Sequence, residues 1–150
     1  MAIAKTSKYL VVVLALAIMA LSGLSIAAIT VNQNISSSGT ITASPNVSVY
    51  SDSACTNAIS TINWGSIEAG GSASQTIYVK NTGGALMTLS LAVSGWSPTS
   101  ASSYVTVTWT EQGVQIAAGQ SVAVTLTLTV SSSETGITTF SNTIVISGTG

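Results

Sequence analysis

The sequence predicts an all-β protein: a single antiparallel β-sandwich, jelly-roll-like, of about seven to eight strands, led by an N-terminal signal helix and a donor-like first strand. Three observations lead there. Aliphatic residues alternate with Thr, Ser or Ala in run after run, the period-2 pattern of half-buried strands. Gly- and Pro-bearing turn signals separate those runs at short spacing. Charged helix formers are nearly absent, since 150 residues hold only three Lys or Arg and four Asp or Glu.

Taken in order, residues 1–27 read as a secretory signal. Lys5 and Lys8 form a cationic start, residues 9–21 an apolar stretch, and Ser25 and Ala27 the small residues that place cleavage before Ala28. An uncleaved anchor over residues 9–31 is the rival reading. Ser22, Gly23 and Ser25 interrupt that stretch, and no cationic stop follows it. Either way the rest of the chain is expected outside the cytoplasmic membrane, which it meets only during export.

Residues 28–39 read as a tethered strand and hinge. Ile29, Val31 and Ile35 share one parity, Gln33 breaks the row, and Ser36-Ser37-Ser38-Gly39 follows as a flexible link. Such a strand either pairs within its own domain as an edge or completes the sheet of a neighbouring molecule. The sandwich proper is expected over residues 40–150. Val47 and Val49 open it after Pro45, and Ile62 with Trp64 form a shorter piece. Ile77 and Val79 alternate with Thr76, Tyr78 and Lys80, and Met87, Leu89, Leu91 and Val93 continue the pattern. A single helical turn fits residues 99–103. Val105 and Val107 then lead into Val122, Val124, Leu126, Leu128 and Val130, the clearest strand of all. Phe140, Ile144 and Ile146 close the chain with Asn142 on their face.

Poverty of charge excludes whole classes of function. After cleavage one Lys, Lys80, faces Asp52, Glu68, Glu111 and Glu134, a formal charge of −3. One cation cannot neutralise a phosphate backbone, so no nucleic-acid partner is expected. Without His there is no Ser-His-Asp relay, no Cys-His pair and no imidazole metal site. The scattered carboxylates offer no sequence-local acid–base pair. No catalytic residue, metal or cofactor is therefore expected, and a hydrolase built from carboxylates meeting in space ranks last.

Four further features remain. Asn34-Ile35-Ser36 and Asn46-Val47-Ser48 are N-glycosylation acceptors, so Asn34 and Asn46 are candidate glycan sites. Cys55, the lone cysteine, reads as a buried thiol or as an intermolecular bridge. Trp64, Trp96 and Trp109 could form a sugar-binding platform, although such residues more often sit in cores. Asn142 reads as a buried amide with satisfied hydrogen bonds rather than half of an isopeptide staple, because Lys80 falls on the outward parity.

Several segments carry a resemblance: Val49-Tyr50-Ser51-Asp52, Ile62-Asn63-Trp64-Gly65-Ser66-Ile67, Ile77-Tyr78-Val79-Lys80-Asn81-Thr82-Gly83, Gly95-Trp96-Ser97-Pro98, Val107-Thr108-Trp109, Ala118-Gly119-Gln120-Ser121 and residues 140–148. In this order, behind a leader and a short strand, they resemble the archaeal bundling-pilus and thread subunits. Those in turn resemble biofilm-matrix fibre proteins of the TasA/camelysin type. The resemblance implies a secreted subunit that polymerises with itself, head to tail, by donor-strand complementation, in filaments that can bundle laterally. It implies a donor over residues 28–36, with Ala28, Ile29, Val31, Gln33 and Ile35 at the subunit interface. The alternative expectation is a monomeric carbohydrate-binding or adhesive module on the cell surface.

Overall fold

The computed structural model describes residues 34–43 and 46–150. The expected signal segment and the expected donor residues Ala28, Ile29, Val31 and Gln33 lie outside them. Among the described residues no helix is long and apolar enough to cross a membrane.

The described chain is all-β, in two sheets. Its strands are β1 (Asn34–Ala43), β2 (Val47–Tyr50), β3 (Thr61–Glu68), β4 (Ser72–Asn81), β5 (Met87–Ser97), β6 (Val105–Trp109), β7 (Gln115–Ile116), β8 (Ser121–Val130) and β9 (Thr139–Thr149). One sheet runs β3-β1-β9-β5-β7 and the other β2-β4-β8-β6. This is consistent with a β-sandwich. A single 3-10 turn over Thr99–Ser103 fills the place where a helical turn was expected.

Alternation puts the core where the pattern placed it. In β8, Val124, Leu126, Leu128 and Val130 are buried while Thr125 and Thr127 are half-exposed. Ile77 and Val79 of β4 oppose Val124 and Val122 of β8 across an antiparallel ladder. From the other sheet Ile35, Leu89, Ile144 and Ile146 are fully buried. Thr and Ser fill the outward positions, hydrating the surface while keeping strand propensity. The pattern fades in β5, where Leu91 and Val93 are only half-buried. There β5 has run beyond β7, which pairs with Met87 and Thr88 alone.

Two expectations are corrected. The strands are not wholly antiparallel, because β1 lies parallel to β9, with Ser36 opposite Thr139 and Ala43 opposite Ile146. The first and last of the described strands are neighbours in the same sheet and point the same way. Nor is Ser36-Ser37-Ser38-Gly39 a hinge, for it is the middle of β1. Small polar residues favour flexibility in an isolated chain, but here the ladders to β3 and β9 hold the backbone on both sides. Tertiary pairing has overridden local preference.

Candidate functional site: the slot between β3 and β9

β1 is the first described strand, yet it is central in its sheet rather than an edge. Antiparallel pairing joins it to β3 from Asn34↔Glu68 to Thr40↔Thr61, and parallel pairing joins it to β9. Two further backbone bonds pin it, Ser36 N–H to Thr138 O at 3.1 Å and Ile41 N–H to Ser60 O at 2.7 Å. Taking β1 away would therefore open a slot with unpaired backbone on both walls.

The underside of β1 presents Ile35, Ser37, Gly39 and Ile41 to the core, and the outer side presents Ser36, Ser38 and Thr40 to solvent. Ile35 is fully buried and pairs in register with Ile67. Expected as a plug in a neighbour, Ile35 in the single chain fills the core of its own domain. Burying Ile35 and Ile41 contributes about 1.5–3 kcal/mol each.

Between those two isoleucines the layer turns polar. Ser37 Oγ, Trp64 Nε1 and both amide atoms of Asn142 are buried without a hydrogen-bond partner. An unsatisfied buried polar group costs about 1–3 kcal/mol. The middle of β1 therefore gives back much of what its two ends contribute. Gly39 permits this close stacking, since a Cβ there would lie 2.9 Å from Asn142 Oδ1 and 3.5 Å from Trp64 Nε1.

A β-bulge shapes the β3 wall. Ser37 opposes Gly65 and Ser38 opposes Asn63, so Trp64 is the extra residue. Gly65 takes a φ of +76°, a left-handed conformation that favours glycine. Asn63 Oδ1 accepts its N–H at 2.9 Å. The bulge switches the side-chain parity, so Ile62 and Trp64 face inward before it and Ile67 after it.

Asn142 departs from expectation, because neither end of its amide is satisfied. The satisfied buried amide is Asn81, which donates Nδ2–H to Ala85 O at 2.7 Å and Ile116 O at 3.0 Å. Its Oδ1 accepts the Gly83 N–H at 2.9 Å, tying the turn after β4 to β7. Lys80 is half-exposed on β4, in the sheet opposite Asn142.

The remaining candidates are dispersed. Asn34 is exposed at the start of β1, and Asn46 is exposed with a φ of +71° just before β2. Cys55 is a free, half-buried thiol in the loop after β2, with a φ of +54°. That loop is held by Asp52, whose carboxylate accepts the Asn57 N–H at 2.7 Å and the Thr56 hydroxyl at 2.8 Å. The bond from the Asn57 backbone, then that from the Thr56 side chain, holds its pKa below the usual value. Glu134 is buried, its Oε1 accepting the Gly136 and Ile137 N–H groups at 2.7 Å each. Both carboxylates thus hold loops.

A platform that includes Trp64 is not available, as that ring is 5% exposed. Trp96 packs on Phe140 with ring centroids 5.9 Å apart, and Trp109 donates Nε1–H to Gln112 Oε1 at 2.9 Å. An open depression of about 620 Å³ lies over the β1–β3 seam, lined by Ser36, Ser38, Thr61, Asn63, Ser66 and Thr139 among others. Among the described residues no group of three or more His, Cys, Asp or Glu could hold a metal ion.

Sequence reasoning missed the polar layer. Its only visible signals were Asn142 on an apolar face and the Trp64-Gly65 pair that carries the bulge. No protein-family model matches the chain, and no curated protein matches it in sequence.

Proposed function

We propose that the chain is a secreted structural subunit of an extracellular filament, a jelly-roll-like sandwich that polymerises by giving its N-terminal strand to the next copy. The observation that carries this reading is the central place of β1 between β3 and β9. An N-terminal strand in a central slot can be exchanged between copies with every ladder bond remade. The slot is already filled in the monomer, so assembly requires exchange rather than the filling of a vacancy. The donor is accordingly β1 itself, with residues 28–33 as its leading part. Ser44-Pro45-Asn46 is the short tether joining it to β2, and short hinge loops favour swapping. Passed on to a third copy rather than returned to its giver, such a strand makes a heterologous contact, and one whose rotation does not close propagates as a filament. The filament would serve adhesion, cell–cell contact or a biofilm matrix, singly or in lateral bundles, without catalysis.

The test is deletion of residues 28–43. The truncated protein should form no fibres in negative-stain images. Supplied with a synthetic peptide of residues 28–43, it should recover a folded, unpolymerised domain. Fibres from the truncated protein alone would remove this reading. The hydroxyl-lined depression over β1 and β3 favours a second reading, an adhesive module that binds neutral sugars. Glycan binding that persists in a monomer unable to exchange β1 would support it.

A further inference from the structure

We infer that the polar layer formed by Ser37 and Gly39 of β1, Trp64 of β3 and Asn142 of β9 is an opening point that keeps β1 releasable. The inference deepens the strand-exchange reading and rests on it for its biological meaning, though not for its measurement. A central strand ordinarily belongs to the most protected part of a sheet. β8, also central, matches that rule, with Val124, Leu126 and Leu128 all fully buried on one face. β1 does not. Between Ile35 and Ile41 its inward face holds a hydroxyl and a hydrogen atom. Gly39 stacks against Asn142 and the Trp64 indole N–H, which, like Ser37 Oγ, are buried without partners.

Lifting β1 would let water reach Ser37 Oγ, Trp64 Nε1 and Asn142, satisfying groups that the closed form leaves bare. Opening is thus subsidised locally, while the two isoleucines and the ladders hold the closed form together. Three independent features converge on one cross-section of the sheet: the serine–glycine centre of β1, the bulge at Trp64 and the unpaired Asn142. Replacing the polar members by apolar groups of similar size should close this point without disturbing the fold.

Hydrogen exchange on the full chain, purified as a monomer, tests the inference. Residues 36–42 should exchange about tenfold or more faster than residues 124–128 of β8. Ser37→Ala, which adds no volume, and the double variant Ser37→Ala/Asn142→Leu should slow exchange in β1 selectively, the double variant by about tenfold. Ser38→Ala, on the outer face, should leave it unchanged. Conversion of monomer to fibre should slow in parallel with β1 exchange. If β1 is as protected as β8, or if the variants slow β1 and β8 equally, the inference is overturned. If the double variant protects β1 yet assembles at the wild-type rate, the layer does not govern release. A wild-type chain that never forms fibres would sink the filament reading, while the exchange measurement would still decide this one.

Discussion

Gly39 and Asn142 meet across the β1–β9 ladder so closely that a methyl group on Gly39 would stand 2.9 Å from Asn142 Oδ1. Gly39→Val therefore overpacks the layer and should destabilise the domain by about 1–3 kcal/mol, read from denaturant midpoints. Adding Asn142→Ala to the same chain should recover part of that loss, because it removes the atom that is struck. A double-mutant cycle with no coupling between the two positions would show that the clash is relieved elsewhere.

Ile35 is the second quantity to measure. It is fully buried in its own domain, so Ile35→Ala should cost about 2–5 kcal/mol in the monomer. Had Ile35 acted only in a neighbouring subunit, the isolated domain would not notice its loss. Thermal unfolding of the monomer separates these outcomes.

The two buried asparagines should respond in opposite directions. Asn81 satisfies two carbonyls and one N–H, and Asn81→Leu strands all three, at a cost of at least about 2 kcal/mol. Asn142 has no partner to strand. The swap of Asn142 to Leu should be neutral or stabilising, since replacing unpaired polar atoms by apolar ones of like shape removes a penalty. Melting temperatures of the two variants, measured side by side, check the contrast.

Acid should loosen the loop after β2. The folded-state pKa of Asp52 is depressed, chiefly by the Asn57 N–H and then by the Thr56 hydroxyl. A depressed carboxylate contributes stability above its unfolded value and loses it as pH falls through the folded one. The loop should thus stay ordered above about pH 4 and loosen below it. The Asn57 amide resonance, followed from neutral to acid pH, should shift with that transition. Asp52→Asn should abolish the shift and leave the strands in place.

Much of the fold was legible because the sequence uses one rule repeatedly. β8 and β9 alternate cleanly, and the thin supply of charge and helix formers leaves few competing structures. β1 was not legible, and the reason is physical. Ser36-Ser37-Ser38-Gly39 carries no apolar signal, and its strand conformation comes from β3 and β9, which lie far away in sequence. The bulge at Trp64 was hidden likewise, since parity along β3 changes only once the extra residue is known. Ile35 was legible as an apolar residue seeking a core, and it lies buried in that of its own chain; periodicity reports which face a residue buries and never whose core receives it.

Parallel alignment of β1 with β9 also separates the two ends of the described domain. Asn34 lies at one pole of the sheet, and Gly150 follows the far end of β9. With about 3.3 Å of rise per residue, roughly 35–40 Å divides them. A chain of such units that exchange β1 would have a built-in polarity, with each carboxyl end beside Asn46, at the pole where β1 leaves its own body. A bulky fluorescent domain fused after Gly150 should accordingly crowd the crossing point between copies and slow fibre growth, read by light scattering.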